Sequence, residues 1–169
     1  MSGAKAGARV LGLDYGRARI GMAVADSQTS MARPLATLVR KNRNEDMRAL
    51  RDVVRDHAIH RIVIGLPLRL DGSKGEMAAE VERFGERLRK QTGLPVEFVD
   101  ERLTSWEAES ILRSGGTRRR GTQQERFRGS RRGARQPRKE QAAGRVDALA
   151  AAVILREYLA QSAPEGAGG

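Results

Sequence analysis

The sequence predicts one α/β domain with a mixed five-stranded sheet, in which three antiparallel strands precede alternating helices and strands and helices cover both faces. Three observations support this prediction. The 169 residues fit one domain, and 39% of them are hydrophobic, an ordinary share for a packed core. Two apolar runs near the N-terminus are joined by a short turn, as in an antiparallel hairpin. Segments of helical periodicity then alternate with short apolar runs, an order typical of helices packed on a sheet.

The first three strands are predicted from apolar runs and their turns. Residues 10–14 are almost wholly apolar before the final acid, which is typical of a buried central strand. Residues 15–18 form a turn, and Arg19–Asp26 is the returning strand of the hairpin. A third strand is expected over residues 34–40.

Two helices and a buried strand are predicted next. Asn44 is expected to cap the first helix, with Glu45 and Asp46 in its first turn. A buried strand follows at residues 60–67, and Ser73 with Glu76 fits a capping box before the second helix. The apolar stripes comprise Met47, Leu50 and Val54 in the first helix, and Met77, Val81, Phe84 and Leu88 in the second.

The C-terminal half is predicted to contain one more strand and two more helices. Gly93, with Pro95 close behind, ends the second helix and opens a strand over residues 96–101. Thr104 and Glu107 fit a second capping box, before a helix that Gly115 and Gly116 end. The final helix is expected from about residue 144 to residue 160.

The net charge of +11 is concentrated in one segment. Residues 115–139 contain nine Arg and one Lys against a single acid, Glu125. Such a segment buries too little apolar surface to fold alone, so a basic insertion is predicted at about 115–140. It interrupts a domain at 9–161, between a flexible N-terminus at 1–8 and a disordered tail at 162–169. A solvated loop without a role is one interpretation; nucleic-acid binding is favoured, because cations on phosphates release counterions.

Composition narrows the chemistry. Without cysteine there is neither a disulfide nor a thiolate metal site, and the two histidines, His57 and His60, fall in one short connection. Carboxylates therefore remain as the expected metal ligands, and they favour Mg²⁺ or Mn²⁺. With no membrane-length apolar run and no signal peptide, a cytoplasmic protein without membrane contact is expected.

Two strand ends carry candidate catalytic acids. Asp14 closes the first strand, at the place where open α/β sheets form their ligand sites. The alternative is an Asp that forms the turn before Gly16. Asp100 and Glu101 close a later strand, and their alternative role is a solvated strand end paired with Arg102.

Asp147 is the most informative acid. It shares a helical stripe with Ala151, Ile154 and Tyr158, whereas Arg145 and Arg156 lie on the other face. A carboxylate on an apolar face is costly unless it is compensated, and a metal ion would compensate it. The alternative is a first-turn Asp stabilised by the helix dipole. Together, Asp14, Glu101 and Asp147 could hold one or two divalent ions that activate water for attack on a phosphodiester.

Four ordered blocks resemble the YqgF family, also called RuvX or the candidate pre-16S rRNA nucleases, which is related to the Holliday-junction resolvases. The blocks are LGLDYGRARIGMAVAD (residues 11–26), IVIGLPLRLDG (62–72), VDERLTSWEA (99–108) and VDALAAAVILREYL (146–159). The resemblance covers residues 9–159 apart from the basic insertion, which is longer than in most members. It implies an RNase H-like fold and a cytoplasmic nuclease for the 5′ end of the 16S rRNA precursor, with branched or single-stranded DNA as an alternative substrate.

The resemblance also assigns residues. The family's acids fall on Asp14, Glu101 and Asp147, and Arg19 and Arg102 would face phosphate. Further nucleic-acid contacts are expected in and beside the basic segment: Arg118, Arg119, Arg120, Arg126, Phe127, Arg128, Arg131, Arg132 and Arg145. Phe127 is favoured for base stacking over Trp106, for which core packing is expected.

Two other classes of protein remain as alternatives. An ATP-binding protein of the actin and sugar-kinase type shares the D-x-G hairpin, but it would need a second such hairpin and a further domain. A nucleic-acid-binding module without catalysis would use the arginines and leave the acids structural, because spacing alone does not show that distant acids converge. A homodimer is left open, since the related resolvases are dimers.

Overall fold

The computed structural model describes residues 7–29, 31–101 and 137–162. The strands are Arg9–Tyr15 (β1), Arg19–Asp26 (β2), Ala32–Pro34 (β3), Leu38–Val39 (β4), Ile59–Leu66 (β5) and Val96–Asp100 (β6). The helices are Arg43–Asp56 (α1), Glu76–Thr92 (α2) and Pro137–Ser162 (α3). The order across the sheet is β3-β2-β1-β5-β6, and β4 also pairs with β2.

None of the helices in the described ranges is both long enough and apolar enough to cross a membrane.

The strand directions bring distant parts of the chain to one edge of the sheet. The β1–β2 hairpin is antiparallel and pairs Asp14 with Gly21. In contrast, β1, β5 and β6 run parallel to one another. The carboxyl ends of these three strands therefore lie together, and parallel sheets place their sites at that edge.

The two faces of the sheet are covered by different helices. Leu11, Leu13 and Ile64 belong to the core that α1 and α2 cover. Val63 and Val99 belong to the core beneath α3, on the opposite face. The predicted mixed sheet with helices on both faces is thus confirmed. Because side chains alternate along a strand, the even-numbered side chains of β1, including that of Asp14, point toward α3.

Glycines let α3 approach the sheet closely. A Cβ atom added at Gly21 would clash with the carbonyl oxygen of Asp147. One added at Gly12 would lie 2.9 Å from the carbonyl oxygen of Ala151. The missing side chains thus create the space in which the α3 backbone lies, directly over the residue that pairs with Asp14.

Gly21→Ala is expected to lower the free energy of unfolding by about 1–3 kcal/mol, because the new methyl group meets helix backbone that cannot move alone. Gly65→Ala is the matched control. Its methyl group would lie 2.6 Å from the Cδ1 atom of Ile154, the end of a side chain that can shift, so a loss below about 1 kcal/mol is expected. Urea unfolding of both variants measures the difference. Equal losses of unfolding free energy in the two variants would show that the close approach of the α3 backbone to Gly21 does not determine stability.

The predicted third strand is divided into β3 and β4, so the sheet has six strands rather than the predicted five. β3 ends at Pro34, although the Leu35 amide still donates to the carbonyl oxygen of Met22 at 2.8 Å. Between the two strands, the Thr37 hydroxyl donates to the carbonyl oxygen of Gly144 and ties the segment to α3. The chain then rejoins β2, where Val39 pairs with Arg19.

Two helix starts differ from the prediction. Asn42, rather than Asn44, caps α1, and its side chain accepts a hydrogen bond from the Glu45 amide at 3.0 Å. The capping box predicted for α2 is wrong, because Gly75 is the N-cap and makes no side-chain cap bond. The Ser73 hydroxyl donates to Asp71 instead, at 2.6 Å. The predicted end of α2 is confirmed at Gly93, which has a left-handed backbone with φ of 70°.

The final helix begins earlier than the predicted residue 144. Pro137 is the first residue of α3, where its fixed φ suits a helix start, and the residues that follow are mostly good helix formers. Residues 137–140, predicted as the end of the basic insertion, therefore belong to α3. The rest of the insertion and the helix predicted after Thr104 lie outside the described residues.

Candidate active site

Three acids from distant parts of the chain lie on the α3 side of the sheet. Asp14 is on β1, and Glu101 directly follows β6. A methyl group added at Gly65, on the strand between them, would lie 3.6 Å from the carboxyl carbon of Glu101. The backbone of Asp147 lies over Gly21, the partner of Asp14. The three acids predicted from the sequence are therefore neighbours at one edge of the sheet.

The alternative roles of Asp14 and Asp147 do not match the structure. Asp14 lies within β1, paired with Gly21, and not in the turn. Asp147 lies almost three turns after the start of α3 at Pro137, too far for a first-turn interaction with the helix dipole. The predicted stripe on α3 is confirmed, because Ala151 and Ile154 are buried.

The pKa of Asp14 is raised to about 8, first by burial and then by the negative charge of Glu101, a hydrogen bond with Glu101 and the charge of Asp147. The protonated Asp14 carboxyl group therefore donates to Glu101. Two carboxyl groups that share a proton in this way are close enough to repel each other when both are ionised. The raised pKa of Asp14 thus reflects its burial first, and the nearby charges of Glu101 and Asp147 second.

Asp147 has a cationic partner. The Nε atom of Arg19 donates to Oδ2 of Asp147 at 2.9 Å, and both side chains are partly exposed, at 36% and 27%. Arg19, which was predicted to face phosphate, thus lies at the edge of the acidic group. Its guanidinium partly neutralises the acid on α3 and fixes the position of that acid relative to β2.

The donor chemistry of this group suits a hard divalent cation. All three side chains offer carboxylate oxygens, the ligands that Mg²⁺ and Mn²⁺ prefer. A cation between Asp14 and Glu101 would replace the shared proton and offset their repulsion. As described, however, residues 7–29, 31–101 and 137–162 contain no cluster of three His, Asp or Glu side chains close enough to hold an ion. Asp147 instead accepts from Arg19.

A polar network on the opposite face holds the turn that follows Asp14. The Nη1 atom of Arg40 donates to the Tyr15 hydroxyl at 2.8 Å, and that hydroxyl donates to Glu80 at 2.7 Å. The Nε atom of Arg40 also pairs at 3.1 Å with Asp46, which is buried. Arg17, in the turn itself, pairs with Glu80 at 3.2 Å. The network therefore connects α1 and α2 to the hairpin that carries Asp14 and Arg19.

The sequence analysis missed this network, since Asp46 was assigned only to the first turn of a helix. One signal was available. Asp46 lies four residues before Leu50, so it falls on the apolar stripe of α1, where a carboxylate needs a partner. No local pattern identifies Arg40 as that partner.

A groove of about 850 Å³ lies beside the acidic group. Its lining residues come from the start of β2, the β3–β4 segment and α3: Ala18, Arg19, Pro34, Leu35, Ala36, Thr37, Val39, Gly144, Arg145, Ala148 and Leu149. Two of the predicted nucleic-acid contacts, Arg19 and Arg145, are among them. Arg102, Trp106, Phe127 and the predicted contacts at Arg118, Arg119, Arg120, Arg126, Arg128, Arg131 and Arg132 lie outside the described residues.

The fold places the protein in a known class. It is similar to Thermus thermophilus RuvC solved in complex with a Holliday junction substrate, with a TM-score of 0.52 and 16% identity over 92% of this chain and 96% of that one. At this identity the similarity shows the fold alone, and the fold is that of the RNase H-like nucleases.

The profile of the RuvX family, described as Holliday junction resolvase, matches residues 8–161, and this chain belongs to that family. A relative from Anaeromyxobacter sp. (strain K) is 44% identical over 92% of this chain and 99% of its own. A relative from Syntrophus aciditrophicus is 41% identical over 89% of this chain and 87% of the relative. A relative from Synechococcus elongatus is 37% identical over 88% of this chain and 87% of the relative. All three are named as candidate pre-16S rRNA nucleases. Family and fold together identify the chain as a nuclease.

Proposed function

We propose that this protein is a divalent-metal-dependent nuclease that acts in the cytoplasm on the 5′ end of precursor 16S rRNA. The observation that carries the proposal is the position of Asp14 and Glu101 near each other at the ends of β1 and β6, with Asp147 of α3 close enough to contribute to the raised pKa of Asp14. Convergent carboxylates without a nucleophilic side chain are typical of enzymes that activate water with a bound metal ion.

Each residue has a separate role in the proposed reaction. Asp14 and Glu101 would hold the cation, and Asp147 would offer a further carboxylate from α3. The bound cation supplies Lewis-acid chemistry, which lowers the pKa of water and stabilises the leaving oxygen. Arg19 would orient the scissile phosphate, because its guanidinium lies beside Asp147 and can donate two hydrogen bonds to phosphate oxygens.

RNA is the proposed substrate because the relatives are named for an rRNA precursor. A branched DNA junction is the second candidate, favoured by the RuvC complex with such a junction and by the description of the family. Binding without catalysis is the remaining alternative. Homodimer formation stays a prediction.

The decisive test compares cleavage of labelled single-stranded RNA with a 5′ precursor extension, a DNA strand and a four-way junction. Each is incubated with Mg²⁺, Mn²⁺ or EDTA and with parent or Asp147→Asn protein. Glu157→Gln is the matched control on α3, since Glu157 bonds only locally to Gln161 among the described contacts. We expect RNA cleavage that needs metal, is lost in Asp147→Asn and is retained in Glu157→Gln.

Other outcomes would contradict parts of the proposal. Cleavage in EDTA would exclude the metal-dependent mechanism. Preference for the junction would favour the second candidate substrate. Tight, salt-sensitive binding of every substrate without turnover would support the non-catalytic module.

A further inference from the structure

The groove beside the acids has an apolar wall and two cations. Pro34, Leu35 and Val39 contribute apolar surface from one side, and Ala148 and Leu149 contribute it from α3. Val39 is the most exposed of the large apolar side chains that line the groove, at 62%. The groove therefore offers apolar side chains against which an apolar group can pack.

The charged residues that line the groove favour an anionic ligand. Arg19 and Arg145 both line it, and the described lining residues include no acid. Arg19 also pairs with Asp147, so this one side chain belongs both to the groove and to the acidic group. A ligand that fits must combine a flat apolar body with an anionic group, and a nucleotide does so.

We propose that this groove binds one nucleotide of the substrate strand next to the scissile phosphate, with its base against Val39 and Leu35 and its phosphate at Arg145. The proposal rests on the proposed nuclease function and specifies where the neighbouring base lies. Contact with the apolar wall would hold the strand in register while Arg19 positions the phosphate at the acids. Because any base has an apolar face, the groove would not require a particular base.

The basic segment of the chain itself is the competing occupant, and its charge argues against it. Residues 115–139 carry nine Arg and one Lys against one Glu, so they would bring cations toward Arg19 and Arg145. Repulsion disfavours that arrangement, whereas a phosphate neutralises both arginines. Charge complementarity therefore favours the nucleic-acid strand.

The test measures binding rather than cleavage, in Asp14→Asn protein, so that it is independent of the catalytic proposal. A series of single-stranded RNA oligonucleotides carries one abasic site at successive positions. We expect one position at which loss of the base raises the Kd about tenfold. In Val39→Glu this base-specific penalty should fall below about twofold, and Ala36→Glu, also an exposed lining residue, should have the same effect.

Met31→Glu is the matched control, because Met31 is an apolar side chain that is 76% exposed beside β3 and does not line the groove. It should retain the full penalty. The proposal is overturned if no position shows a penalty, if the penalty persists in both groove variants, or if those variants weaken binding equally at every position. The last result would indicate that the new Glu repels the RNA strand as a whole and that no base lies in the groove. Failure of the cleavage assays would leave this binding result intact.

Discussion

Asp14→Asn is expected to reduce cleavage by about 10³-fold or more while substrate binding stays within about threefold of the parent. The substitution removes the carboxylate that shares a proton with Glu101, and with it one of the proposed metal ligands. Phosphate contacts from the arginines are unchanged, so binding persists. Single-turnover cleavage and filter binding measure the two quantities. Cleavage equal to that of the parent would exclude the proposed role of Asp14.

The same variant has an internal control for folding. Asp14 has its pKa raised from 3.8 to about 8, so the folded protein keeps a proton that the unfolded chain loses. This contribution to stability is complete below about pH 4 and is lost as the pH rises toward about 8. Without metal, Asp14→Asn should therefore melt about 5 °C above the parent at high pH and show no such gain near pH 4. A destabilised variant at high pH would instead indicate that the carboxyl group has a structural role.

Glu101→Gln is expected to reduce cleavage by about 10²-fold or more, whereas Asp100→Asn should change it by less than about threefold. The two acids are adjacent in sequence, yet successive side chains of a strand point to opposite faces. Val99 belongs to the core under α3, so Glu101 follows on that side, and Asp100 points toward the α2 side. The pair of variants thus tests the placement of the site itself.

Circular dichroism and urea unfolding of both variants control for loss of structure. Equal loss of cleavage in the two variants would show that charge at this strand end matters, rather than the face on which it lies. Loss of cleavage in Asp100→Asn alone would show that the required acid is Asp100, on the α2 side of the sheet, and not Glu101. Binding of Mn²⁺, read as a rise in melting temperature, should be weakened by Glu101→Gln only.

The elements that flank the site were predictable because their signals are local. The run before Asp14 is apolar because β1 is buried on both faces, and the hairpin returns over the predicted residues Arg19–Asp26. The stripe from Asp147 to Tyr158 follows helical spacing because one side of α3 packs on the sheet. The division of the third strand was not predictable, because Thr37, between β3 and β4, donates to Gly144, which is 107 residues away in the sequence.

The sequence alone indicated a mixed sheet with helices on both faces, and it identified Asp14, Glu101 and Asp147 as candidate acids. Both predictions were possible because burial and periodicity depend on residues that are close together in the sequence. The contacts that make these acids a site are different in kind. Arg19 and Asp147 are 128 positions apart, and the proton shared by Asp14 and Glu101 depends on two strands that meet through β5. The groove likewise lies between the β3–β4 segment and α3, which are far apart in the sequence. Such distances and pKa values depend on how elements pack across the sheet, and no local pattern of residues encodes that packing.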